Sequence, residues 1–165
     1  MLGTLTRRAA LTLLASAAAF PVAAVQAAPG MKFRAIEVDV SPLRASGDAI
    51  TAQWLAEDLP GLLRAAFAGD LAPGDRSAPV LVARIDSVAY GTPGSSGGSF
   101  MVSTMDYIEG AAVVKLGGRT QATYPLTTSA SVLGQSLPPT ENVGKLRADA
   151  LAGVFARYLP GQIGL

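Results

Sequence analysis

The amino-acid sequence predicts an α+β fold: a two-layer sandwich in which a four-stranded, mostly antiparallel sheet carries two helices on one face. Three observations lead to this prediction. Four segments alternate apolar and polar residues with the period of a strand, two segments repeat apolar residues at helical spacing, and the order along the chain is β-α-β-β-β-α. Because each helix has one apolar stripe and each strand one apolar face, both helices are expected on the same side of the sheet.

Residues 1–27, which precede these elements, have the three parts of an export signal. Two adjacent arginines come before an uncharged stretch rich in Ala and Leu, and small residues lead to a cleavage point near Ala27. We therefore expect a cleaved signal peptide, one domain over residues 28–165, a periplasmic location and no stable membrane anchor. The arginine pair resembles a twin-arginine signal but lacks the aromatic residue after it, so general secretion stays an equal alternative.

The first two strands are predicted from alternation. Residues 31–43 alternate until Pro42 ends the pattern, and residues 79–90 alternate in the same way. Between them, residues 48–68 have apolar side chains three and four positions apart, which indicates a helix. Since a helix joins the two strands, they are expected to lie parallel with a right-handed crossover.

Two details of this first helix are also predicted. Residues 46–48 offer N-cap side chains at its start, and Trp54 lies on its apolar stripe, which favours a place in the core. Pro60 and Gly61 interrupt the stripe. An interior proline removes a backbone hydrogen bond and clashes with the preceding turn, so a kink or two short helices are expected.

A hairpin is predicted in the second half of the chain. Residues 104–116 alternate, Gly117 and Gly118 suit a two-residue turn with positive φ angles, and residues 119–131 return as the fourth strand. Pro125 lies inside this last strand. Because proline lacks the N–H that a central ladder needs, the fourth strand is expected at an edge of the sheet or at a bulge.

The last element is predicted to be an amphipathic helix that begins after a cap at Thr140 and ends at Pro160. The charged residues of the segment, including Arg147, fall outside its predicted apolar stripe. That stripe consists of Val143, Leu146, Ala150, Leu151, Val154, Phe155 and Tyr158.

Composition excludes several classes of function. The chain has 13 basic and 12 acidic residues, scattered along its length, which does not suit a nucleic-acid-binding protein. It has no His and no Cys, so a serine or cysteine triad with a histidine base and the usual zinc ligands are absent. Residues 94–98 match the G-x-S-x-G pattern, but they lie in a Gly- and Ser-rich segment, 91–103, that reads as a loop. No cofactor and no metal are expected.

The candidate binding residues are the polar side chains of strands one to three, which should share the sheet face that the helices leave open. They are Glu37, Asp39, Arg84, Asp86, Tyr107, Glu109 and Lys115. The sequence suggests a wet, charged face that binds a partner such as an envelope or transport-complex protein, or a peptide, without catalysis. The alternative is a small-ligand-binding or hydrolytic enzyme that uses the carboxylates of this face, as paired carboxylates do in glycoside hydrolysis.

The order of elements behind an export signal resembles the small periplasmic domains of transport-auxiliary and envelope-assembly lipoproteins of Gram-negative bacteria. The resemblance is carried by residues 33–43, 62–67, 79–88 and 146–159. It implies a non-enzymatic accessory role and transfers no functional residue. Those lipoproteins carry a lipidated Cys after the signal, and this chain has none.

Overall fold

The computed structural model describes residues 30–91, 105–131 and 142–165, which form four strands and three α-helices. The signal peptide predicted over residues 1–27, nearly all of the Gly- and Ser-rich segment and the cap predicted at Thr140 lie outside the described residues. In chain order the elements are β1 (Ala35–Asp39), α1 (Ser41–Ala45), α2 (Ala49–Ala66), a 3-10 turn (Ala68–Asp70), β2 (Val80–Ala89), β3 (Met105–Leu116), β4 (Arg119–Ser131) and α3 (Val143–Gln162).

The sheet has the spatial order β1-β2-β3-β4, so neighbours in the chain are neighbours in the sheet. β1 and β2 are parallel, as their helical connection predicts, while β2–β3 and β3–β4 are antiparallel. The α+β class and the order of the main elements are therefore confirmed, with a sheet that is mixed in direction. Among the described strands, the crossover connection lies between β1 and β2.

The core lies between the sheet and the helices, which confirms that the helices share one face. The inner face of the sheet is the one that packs on α2 and α3. Fully buried side chains from both layers meet there, and each contributes about 1.5–3 kcal/mol by burial. They include Leu81, Ile85, Ile108, Leu55, Leu59, Leu63, Leu151, Phe155 and Leu159. Phe33 and Phe67 close the end of this core with edge-to-face rings whose centroids are 5.9 Å apart.

The first strand is shorter than the predicted range of residues 31–43, because a helix begins at Ser41, inside that range. β1 ends at Asp39, and α1 follows at once with Pro42 in its first turn, where a missing N–H costs no hydrogen bond. The Asp39 carboxylate accepts hydrogen bonds from the backbone N–H of Ser41 at 2.9 Å and from its hydroxyl at 2.5 Å. Pro42 thus helps to start a helix as well as to end a strand.

The second helix begins as predicted and runs through its proline. The Asp48 side chain accepts from the backbone N–H of Thr51 at 3.1 Å, which satisfies one of the free donors of the first turn. The helix continues through Pro60 to Ala66 without division. Leu59 and Leu63 on either side of the proline are fully buried, so core packing outweighs the lost backbone bond.

The predicted hairpin joins β3 and β4. Gly117 and Gly118 have φ angles of 57° and 79°, the left-handed values that a two-residue turn of this kind requires. β2 carries a bulge between Ile85 and Ser87. Nearby on β3, Gly110 lies so close to the Arg84 carbonyl that a Cβ at this position would collide with it.

The position of Pro125 also confirms its prediction, since β4 is an edge strand. The Pro125 carbonyl accepts a hydrogen bond from the Gln162 side chain at 2.8 Å. This oxygen therefore points away from β3, and the missing N–H of the proline, which lies on the same side, removes no ladder bond.

The last helix is rotated relative to its predicted stripe and ends later. Val143 and Tyr158, both assigned to the stripe, are exposed, and Arg147, assigned to the polar side, is largely enclosed. The buried residues of α3 are Ala148, Leu151, Ala152, Phe155, Ala156 and Leu159. Asn142 caps the start through the N–H of Lys145 at 3.2 Å, and α3 continues past Pro160 to Gln162. The buried alanines Ala148, Ala152 and Ala156 were not part of the predicted stripe, and their small side chains let α3 approach β4.

Candidate functional site

The seven polar residues predicted as a binding site lie on the three strands expected, along the sheet face that no described helix covers. We call this the outer face. The register of the strands arranges it in rows, with Glu37 beside Val82 and Asp39 beside Arg84. Further along, Glu109 lies opposite Ser87 on one side and Thr127 on the other. Tyr107 follows on β3 with 45% of its surface exposed.

The charged groups of the outer face are already paired with one another. Arg84 donates from Nε to Asp86 Oδ1 at 2.7 Å and from Nη2 to Asp86 Oδ2 at 3.0 Å, and these bonds raise the pKa of the guanidinium. Glu109 accepts from the Ser87 hydroxyl at 3.0 Å. Hydrogen bonds from Ser41 lower the pKa of Asp39, with smaller electrostatic contributions from Lys115 and Arg84.

The centre of the outer face is apolar, which differs from the wet, polar surface predicted. Val80 and Val82 of β2 and Ala111 and Val113 of β3 form a second buried cluster, separate from the main core. Val82 and Val113 are direct cross-strand partners, and β-branched side chains at such positions pack well on a sheet. Strand alternation predicted Val113 on this face, but the polar residues predicted beside it gave no indication of a continuous apolar cluster.

A shallow cavity of about 150 Å³ lies at one end of this patch. It is lined by Arg34, Glu37, Val80, Lys115 and Gly118. Because its lining contains two cationic side chains and one carboxylate, the cavity belongs to the polar margin of the outer face, next to the β3–β4 turn.

This arrangement suits binding better than acid–base catalysis. A general acid needs a carboxyl group whose pKa is raised, whereas Asp39 has a lowered pKa and Asp86 is bound to a guanidinium. Within the described residues there is no group of three carboxylates close enough to hold a metal ion. The paired charges and the exposed Tyr107 ring are groups that a protein partner can contact.

A buried ion pair that was not predicted from the sequence lies at the opposite end of β3, on the inner face. Asp106 is 1% exposed and accepts from Arg147 of α3, through Nε at 2.8 Å and through a second, shorter bond from Nη2. Its Oδ1 also accepts from the backbone N–H of Gly91 at 3.0 Å, and Arg147 donates to the Gly91 carbonyl at 2.6 Å. The pair thus ties the end of β2, the start of β3 and α3 together.

An aromatic residue extends this cluster to α2. The Arg147 guanidinium lies 4.8 Å from the centre of the Tyr90 ring, and the Tyr90 hydroxyl is 3.2 Å from the Thr51 hydroxyl. Burial raises the pKa of Tyr90, so the phenol stays protonated, and either hydroxyl can donate in the bond to Thr51. With each charge satisfied by its partner, the cluster holds elements in place and leaves no free group for chemistry.

A cavity of about 390 Å³ lies between α3 and β4. We call it the edge groove. It is lined by Leu126, Thr127, Thr128, Ser129, Val154, Tyr158, Gly161 and Gln162. Tyr158 is 58% exposed at its rim, and the Thr128 hydroxyl is buried in its wall without a hydrogen-bond partner in the structure.

None of the helices formed by the described residues is long and apolar enough to cross a membrane.

No protein-family model matches the chain, and no curated protein matches it. The fold is similar to two solved structures. One is rare lipoprotein B from Shewanella oneidensis, with 13% identity over 78% of this chain and 92% of that chain and a TM-score of 0.46. The other is a minor lipoprotein from Acinetobacter baumannii, with 16% identity over 79% of this chain and 93% of that chain and a TM-score of 0.43. Both are named as lipoproteins.

Proposed function

We propose that the chain is an exported, non-catalytic accessory domain whose outer face binds another protein of the cell envelope or a peptide segment of one. The observation that carries this proposal is the ring of Tyr107, which is 45% exposed among the charged side chains of a face that no described helix covers. An exposed aromatic side chain next to charged groups is typical of interaction sites.

The charges around the patch supply specificity. Arg84 and Lys115 alternate with the acidic residues Glu37 and Asp39, so a partner must match a pattern of both signs. Such complementarity affects the rate and selectivity of association more than the affinity. Contact with the exposed Tyr107 ring supplies affinity, and the charged side chains orient the partner.

The proposed location depends on residues 1–27. A signal peptide removed near Ala27 would release the remaining residues, 28–165, as one domain in the periplasm. The partner is then a protein of the same compartment, an envelope or transport-complex protein.

The test combines a charge reversal with a truncation on the outer face, Arg84→Glu with Tyr107→Ala. Cross-linking in the periplasm, followed by purification, should recover less of the partner with this double variant than with the wild type. Thermal stability should change little, because Arg84 is 40% exposed and exposed ion pairs contribute about 0–1 kcal/mol.

A matched control is Arg64→Glu, which reverses the charge of an exposed residue on α2, on the helical side of the molecule. It should leave partner recovery unchanged. Equal loss in both variants would show that net charge, rather than the outer face, governs capture. Unfolding of the double variant would show that the outer face is structural.

A further inference from the structure

We propose that the edge of β4 that no other described strand pairs with, beside the edge groove, binds an extended segment of another polypeptide as a fifth strand of the sheet. The segment has neutral residues where it faces the helices and a basic residue where it faces the outer side. This inference goes beyond the proposed function, since it does not depend on what the patch on the outer face binds.

The main-chain groups of β4 provide the first argument. The Pro125 carbonyl points to the open edge, where Gln162 occupies it. Backbone groups alternate sides along a strand, and the β3–β4 register is regular from Thr123 to Ser131. The N–H and C=O of Thr127 and Ser129 therefore point to the same open edge. An added strand pairs with such groups in β-augmentation.

The edge groove provides the second argument. Side chains that lie opposite one another on paired strands share a face, so a residue opposite Thr128 in the added strand lies on the helix side. There it meets Val154 and Tyr158 of α3, which form the far wall of the groove. The unpartnered Thr128 hydroxyl lies in the near wall and is free to bond a small polar group.

Charge selects between possible segments. None of the eight described residues that line the edge groove is charged, so a charged side chain on the helix side would be desolvated without a partner. On the outer side, Glu109 is the cross-strand partner of Thr127, so its carboxylate lies in the same row as the added residue opposite Thr127, with β4 between them. A Lys or Arg at that position is complementary to Glu109.

The occupant is therefore a stretch of about five residues in which neutral and basic or polar side chains alternate. A second copy of β4 fits less well, because its own residues 127–131 contain no basic side chain. Its Pro125 would also remove a hydrogen bond from the new ladder.

The probe is a blocked pentapeptide, Thr-Val-Lys-Val-Thr, added to isotope-labelled protein while the amide resonances are followed by NMR. Those of Thr127 and Ser129 should shift most. Thr127→Pro should weaken binding about tenfold, because it removes an outward N–H without removing a bond to β3. Thr123→Pro, the same change on the other side of Pro125, should bind like the wild type.

Two further peptides keep the test independent of whether these variants fold. Methylation of the Lys amide nitrogen blocks main-chain pairing, and replacement of both Val residues by Asp places charge in the edge groove. With the wild-type protein, each peptide should bind about tenfold more weakly or not at all. Equal binding of the methylated peptide would overturn strand addition, and equal binding of the Asp peptide would overturn the assigned side-chain pattern.

The competing occupant is tested on the protein alone. A dimer in solution that Thr127→Pro dissociates would show that a second copy fills this edge, which would also overturn the proposal. The Arg84 and Tyr107 double variant should bind the pentapeptide like the wild type. Failure of this inference is thereby distinguishable from failure of the proposed function.

Discussion

Replacement of Asp106 by Asn should lower the free energy of unfolding by about 3 kcal/mol. The change keeps the shape of the side chain but replaces an acceptor oxygen by an amide donor. That donor would face the donors of the Arg147 guanidinium, which now binds both carboxylate oxygens. The pair would lose its charge attraction and one or both hydrogen bonds.

The magnitude follows from the burial of the two partners. Loss of a hydrogen bond to a charged group costs about 1.5–3 kcal/mol, and breaking a buried ion pair costs about 3–5 kcal/mol. Arg147 is 22% exposed and keeps its bond to the Gly91 carbonyl and its contact with Tyr90, so the lower end of the range applies. For a domain of this size the midpoint of thermal unfolding should fall by about 10 °C.

Urea and thermal unfolding, followed by circular dichroism, measure this change. Asp149→Asn is the matched control, since it removes a carboxylate from an ion pair that is 40% exposed at both partners and should cost well under about 1 kcal/mol. Arg147→Met should also destabilise, because it leaves the Asp106 carboxylate buried without its partner. The double variant Asp106→Leu with Arg147→Met should recover part of the loss.

A buried, energetically coupled pair is refuted if Asp106→Asn costs less than about 1 kcal/mol, or if Asp106→Leu with Arg147→Met is no more stable than Arg147→Met alone. Either result would mean that solvent reaches the pair and that the elements it joins are held by apolar packing alone.

Three further predictions concern other parts of the molecule. Gly110→Ala should cost about 2–3 kcal/mol in denaturant unfolding, since its Cβ would collide with the Arg84 carbonyl; Gly153→Ala, with open space around it, should not destabilise. The hydrogen bonds of Lys145 to Asp58 and Asp149 raise its pKa above the ordinary value of 10.5. The stability that charged Lys145 contributes is therefore complete below pH 10.5, and it is lost as the pH rises from 10.5 through the raised pKa of the folded state. The difference in thermal midpoint between the wild type and Lys145→Gln should therefore begin to shrink above pH 10.5, and a difference that grows there would contradict this sign. Intact mass of the exported protein should correspond to a chain that begins at Ala28, and a full-length product extracted from membranes would contradict processing.

Sequence periodicity identified the faces of the strands because strand side chains alternate strictly, whatever the tertiary structure. Periodicity failed to predict the positions at which a charged residue is buried. Asp106 has the same parity along β3 as the buried residues Ile108 and Ala112, and Arg147 precedes the buried Leu151 by one helical turn. Arg147 was counted as polar and hence as exposed, and Asp106 was assigned to neither face. Two opposite charges at core-facing positions of different elements are the signal that would have predicted this pair.

Local rules also left the orientation of α3 and the start of α1 undetermined. A helix rich in Ala has two faces of similar hydrophobicity, and only contact with the sheet selects the one with small residues. Tyr158 consequently points to the edge groove instead of the core. Pro42 is compatible with the end of a strand and with the first turn of a helix, and the bonds from Ser41 to Asp39 decide for the helix.

The two proposed binding surfaces adjoin each other through β3 and β4. A strand added to β4 would lie next to Thr127 and Ser129, whose partners on β3 are Glu109 and Tyr107. Its outward side chains would therefore extend the outer face by one strand, in the rows that already contain those two residues. A partner held at the edge by main-chain bonds thus gains access to the charges of the outer face without reaching across the sheet. Because the helices cover only the inner face, such a partner can cover the outer face while the core stays intact.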